Sequence, residues 1–200
     1  TVTVLAGSSW SVTNSMFMSS SSFFLLCWSG SHSGNHAQLE LEEDSSWLVI
    51  GTTVSSISSV VGLAWLGHSS GQNVSFLTGS SFNAAVIGSL LYSFSDILSM
   101  EWEGETSGNS LTFSMGAASY WQTANTNIGS DSSIVACMWA GASSGSHSSF
   151  IFETEVAMVL SSSEVAGDSS FFFVLWVGNS SGQHVSCRIE AGSMWVSTSS

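Results

Sequence analysis

The pattern Trp-x-Gly-x-x-Ser-Gly occurs five times, starting at Trp28, Trp65, Trp102, Trp139 and Trp176, and each start lies 37 residues after the one before. A fixed internal period constrains a fold strongly, because every repeat must be the same supersecondary unit packed on its neighbour. No insertion or deletion interrupts the period from Thr1 to Ser200. Trp10, Trp47, Trp121 and Trp195 share a second phase, with Ala84 and Met158 in its two other slots. The units are 19–55, 56–92, 93–129 and 130–166, with partial units at 1–18 and 167–200, together one repeat domain. Entry and exit in mid-repeat predict a fragment of a longer array, or copies assembling head to tail.

Within a unit the pattern reads as strands and turns. An apolar run of strand length leads into each motif tryptophan, as in Val60 to Trp65 and Ile134 to Trp139, which suits a strand buried on both faces. The paired glycines that follow are Gly30 and Gly34, Gly67 and Gly71, Gly104 and Gly108, Gly141 and Gly145, and Gly178 and Gly182. They mark a turn of fixed backbone shape. A second strand alternates strictly, as in Leu111-Thr112-Phe113-Ser114-Met115, so one face is buried and the other solvated. A third carries the other tryptophan phase, and short runs such as Leu90-Leu91-Tyr92 suit a fourth. Helix caps followed by a sustained 3.6-residue period are missing.

The fold class is therefore all-β, built as a β-solenoid-like stacked array, with a five-bladed β-propeller as the alternative. Constant repeat length favours the stack, because an insertion in one coil disturbs its neighbours, whereas propeller blades tolerate loop variation. Only 8% of the residues are charged, and this points the same way, since stacked like charges repel while Ser, Thr, Asn and aromatic ladders stack well. The resemblance is to an architecture, that of repetitive extracellular β-proteins and of small propeller lectins, and no family signature accompanies it.

Composition narrows the partners. Lysine and arginine together number one, Arg188, against a net charge of -13, which excludes phosphate-backbone binding by clustered basic residues and so nucleic acid. The longest apolar runs fall far short of a membrane-spanning helix. Cys27, Cys137 and Cys187 lack metal or redox spacing and read as small buried hydrophobes.

The candidate chemistry is sparse. Gly67-His68-Ser69-Ser70-Gly71 matches the Gly-x-Ser-x-Gly nucleophile elbow, but no helix follows it, and the same turn recurs at Gly30 and Gly104 with the central serine replaced. A structural turn accounts for all five copies, and no catalytic residue is assigned. His147 and His184 share a phase and fall on adjacent rungs of a stack, an incomplete metal site. Glu101, Glu103 and Glu105 alternate onto one face, where calcium is the cation that suits them; a solubilising acidic surface is the simpler expectation. No cofactor and no metal ligand set follows from the sequence. Arg188 is expected to pair locally with Glu190. Trp28 and its equivalents follow apolar runs and read as core. Trp10, Trp47, Trp121 and Trp195 have serines close by in sequence and are the candidate binding face for a sugar or a protein partner.

The expected function is that of a non-enzymatic extracellular or cell-surface structural or adhesive protein, self-associating and capable of forming filaments. The alternative is a glycan-binding propeller lectin.

Overall fold

The computed structural model describes residues 1–198. In chain order the first coil contains β1 (Val2–Val4), β2 (Ser9–Thr13), β3 (Met16–Phe17) and β4 (Ser22–Trp28). The second has β5 (Gln38–Leu41), β6 (Ser46–Ile50), β7 (Thr53–Ser55) and β8 (Ser59–Trp65). The third has β9 (Ser75–Thr78), β10 (Asn83–Ile87), β11 (Leu90–Tyr92) and β12 (Asp96–Trp102). Next come β13 (Thr112–Met115), β14 (Tyr120–Ala124), β15 (Asn127–Ile128) and β16 (Ser133–Trp139). The last are β17 (Ser149–Phe152), β18 (Ala157–Ser161), β19 (Glu164–Val165), β20 (Ser170–Trp176), β21 (Ser186–Ile189) and β22 (Met194–Thr198).

Strands of equal phase pair in parallel, each residue beside the one 37 further on, as in Trp28 with Trp65 and Trp65 with Trp102. Four parallel sheets result. Sheet A begins with β1 and sheet B with β2, and each has six strands; sheets C and D, begun by β3 and β4, have five. The chain is a β-solenoid of about five turns, not a propeller. The expected fourth strand is sheet C.

Sheets A and B alternate as their sequences do: in β9 Phe76 and Thr78 are buried while Ser75 and Leu77 are half-buried. Sheet D departs from alternation, and its central strands are buried almost throughout. The cause is local. Phe171 meets Trp121 at 6.0 Å and Phe172 meets Phe113 at 5.4 Å, so two consecutive side chains both point inward. The ladder accordingly passes from Ser133↔Ser170 to Val135↔Phe172 without pairing the position between.

The repeated motif is explained by what stacks. Trp28, Trp65, Trp102, Trp139 and Trp176 form one column with ring centroids 4.6–5.1 Å apart and planes within 8° of parallel. Gly71 closes the turn at φ +61, and a Cβ there would stand 2.4 Å from Trp102 Nε1 and 2.7 Å from Trp65 Cγ. At Gly67 an added Cβ would lie 2.2 Å from the carbonyl oxygen of Gly30 on the previous turn. The first glycine thus lets backbones touch between rungs, and the second leaves room for two indoles. The motif serine ties the turn: the Ser70 hydroxyl donates to the Gly67 carbonyl.

Fifty of the 200 residues are serine, and many of them are interior. At the corners between sheets C and D, Ser21, Ser58, Ser95 and Ser132 each donate a backbone N–H to the hydroxyl 37 residues on, the last acceptor being Ser169. Thr52, Ser89 and Thr126 form a second such ladder, ending at Ser163. Buried backbone groups at a corner need partners, and a short hydroxyl supplies them within a sharp bend.

Candidate functional site

The second tryptophan phase lies inside the coil. Trp47 is 6% and Trp121 1% exposed, and Trp10 is half-buried against Trp47 and Phe24. Only Trp195, on the last described coil, is open, at 53%. The expected aromatic binding face is therefore replaced by a core column, because these positions fall on the inward phase of sheet B. Ala84 leaves room in that column, across which Trp47 and Trp121 meet at 6.3 Å; Phe82, two residues earlier, where Ser45 and Ser119 stand on the neighbouring coils, packs beside them and meets Trp121 at 6.4 Å.

The remaining sequence candidates are scattered. His147 and His184 do stack on adjacent rungs, 4.9 Å apart, and His32 meets His68 at 6.2 Å. Among the described residues no three His, Cys, Asp or Glu side chains converge as a metal site, and Glu101, Glu103 and Glu105 do not gather. In the elbow-like turn, Ser69 Oγ lies 2.7 Å from Thr106 Oγ1 and has no histidine beside it in that contact. Cys137 is buried, and burial pushes its thiol pKa far up. Cys27 and Cys187 are exposed, contrary to expectation, because Cys27 takes the outward phase of sheet D and Cys187 lies in the last coil, with no rung above it among the described residues. The expected Arg188–Glu190 pair forms at 3.3 Å on an exposed part of sheet A.

A roomy concavity lies on the outer face of sheet D. Its floor is Ala136, Met138, Phe173 and Leu175, with Asp96, Ser133 and Glu101. Its wall is the corner between sheets C and D, which projects Ile57, Phe94, Asp131 and Asp168 from the same phase of four successive rungs. The corner turns sharply because consecutive residues hold positive φ: Ser56 and Ile57, Ser93 and Phe94, Ser130 and Asp131. Floor and wall enclose a groove of ≈ 350 Å³ that runs along the stack.

Four carboxylates line this groove, and none has a basic partner among the described residues, since Arg188 is engaged elsewhere. Asp96 is 8% exposed, and its Oδ1 accepts the Ser133 N–H at 3.0 Å. Burial raises its pKa to about 7; the Ser133 bond opposes the rise and Glu101 adds to it. Glu101 accepts the Ser99 hydroxyl at 2.9 Å.

Asp96, Asp131 and Asp168 belong to no motif that marks a site in the sequence. A signal was present: the array places acids one period apart only at Asp131 and Asp168 and at Glu153 and Glu190, and the second pair has Arg188 next to it. No protein-family model, curated protein or solved structure matches this chain.

Proposed function

We propose that this chain is a non-enzymatic structural or adhesive β-array, extracellular or displayed at a cell surface, that associates with further copies by stacking. The observation that carries the reading is the unbroken 37-residue register, in which the upper edge of every coil matches the lower edge of the next. A further coil, from this chain or another, would meet the same ladders of backbone groups and the same indole column. The outermost described coils present large apolar side chains at those edges: Leu5 and Phe23 at one, Ile189, Met194 and Trp195 at the other. Unpaired parallel edges of this kind recruit strands readily. A surface of serine, threonine and asparagine with one arginine and no lysine suits an extracellular setting.

The lectin alternative rested on solvent-facing tryptophans, and the burial of Trp47 and Trp121 removes that footing. Electron microscopy of the purified chain tests the proposal. Rods or filaments with an axial repeat of about 4.8 Å, the strand spacing, are the expected result. A monodisperse monomer at all concentrations would count against stacking between copies.

A further inference from the structure

We propose that the groove over sheet D binds a small organic cation, an ammonium group carried on an aromatic or alkyl body. Such a site does not depend on the structural role above.

The groove joins two surfaces that seldom occur together in this molecule. Phe94, Met138 and Phe173 supply an apolar lining, and Asp131, Asp168 and Glu101 supply negative charge along it, joined by Asp96 as it ionises. A chain that is only 8% charged places four of its carboxylates on one groove and no lysine, arginine or histidine in its lining. Stacked like charges on adjacent rungs are unfavourable. Where this happens at Glu153 and Glu190, Arg188 stands beside them; at Asp131 and Asp168 no internal cation does, so the compensating charge comes from outside.

Asp96 sharpens the inference. It is 8% exposed, and one oxygen accepts the Ser133 N–H, while no donor among the described residues meets the other oxygen. A buried carboxylate with a free acceptor at the floor of a cavity is built to receive a donor. That donor is an organic cation rather than a bare metal ion, because the carboxylates are spread along the groove and no three of them converge on one point. The apolar part of the lining also disfavours a hydrated ion, whereas aromatic rings such as those of Phe94 and Phe173 in the lining attract an ammonium group. The enclosed ≈ 350 Å³ falls within the range of about 300–1,000 Å³ typical of small-molecule sites.

The test is calorimetric titration of the full chain with 4-phenylbutylammonium, with the neutral 4-phenylbutanol as its isostere and calcium chloride and a short oligolysine as competitors. The amine is expected to bind saturably and about tenfold tighter than the alcohol, as one charge-assisted contact implies. Asp131→Asn with Asp168→Asn, both on the exposed corner, should remove about that factor for the amine and leave the alcohol unchanged. Circular dichroism establishes that the double variant is folded. Asp96→Asn, which keeps an oxygen for the Ser133 N–H, repeats the test from the floor. Equal affinity for amine and alcohol overturns the proposal, and so does unchanged amine binding by both variants. Binding of calcium alone, or of oligolysine with no binding of the small amine, overturns it too, assigning the groove to a metal ion or to a basic protein segment.

Discussion

At Gly71, as at its equivalents Gly34 and Gly108, a left-handed backbone conformation coincides with two indoles so close that a side chain has no room. Substitution to alanine meets a positive φ, worth about 1–2 kcal/mol, and two indoles within 2.7 Å, with overpacking costs of about 1–3 kcal/mol. Gly88 has nearly the same φ, +59, but nothing within 4 Å of an added Cβ. Gly88→Ala should therefore cost about 1 kcal/mol and Gly71→Ala about 2–5 kcal/mol, a difference read from denaturant midpoints. The sequence disclosed that these glycines were special through their period. It did not disclose the reason, since Gly71 and Gly88 look alike until the neighbouring rung is in place. Asp96 makes the same point through pH. Its folded pKa of about 7 lies above the ordinary 3.8, so the folded state keeps a proton that the unfolded state has lost between those values. The stability this contributes is complete below pH 3.8 and disappears as pH rises through about 7. The full effect is on the order of 4 kcal/mol. Asp96→Asn should abolish it, so the stability of the variant relative to wild type should climb from pH 4 to pH 7 in equilibrium unfolding.

At the scale of strands and columns, the structure answers the sequence position by position. Strand existence, order and the parallel register were legible, because a period of 37 with period-two alternation leaves few alternatives. The inward phase of sheet B was harder to read. Trp47 and Trp121 each have a serine two residues before them, which normally signals a solvated face, yet here Ser45 and Ser119 are themselves buried corner residues. A subtler signal was available: where the tryptophan is lost, at Ala84 and Met158, the serine two residues earlier is replaced by Phe82 and Val156. Such compensation marks shared volume. Ala84→Trp alone should overpack the column by about 1–3 kcal/mol, and Phe82→Ser alone should leave a cavity costing about 3–5 kcal/mol. The double variant reproduces the neighbouring coil and is expected near wild-type stability, so a double-mutant cycle should show strong favourable coupling.

For the molecule as a whole, each turn packs mainly on the two beside it, so stability is distributed along the axis rather than gathered at a centre. Large apolar side chains on the central turns, such as Leu98, Trp102 and Ile134, are 0–1% exposed, whereas Phe23, Leu25, Ile189 and Met194 on the outer turns are more than half exposed. Amide hydrogen exchange should follow that gradient, with β12 and β16 protected longest and β1 and β22 exchanging first. Stacking between copies would slow exchange at the outer turns as concentration rises. The candidate groove belongs to this scale as well, which explains its illegibility: its wall and floor come from four successive repeats, and no single unit contains it. The strict register has a consequence for heredity too. Each block of 37 residues adds one strand spacing of height, about 4.8 Å, and contacts only its neighbours, so duplication or loss of a whole block lengthens or shortens the molecule and leaves the surviving interfaces unchanged. Deletion of a single residue within a strand exchanges the inner and outer faces of everything between it and the next corner. Such a chain varies freely in length by the block and hardly at all by the residue.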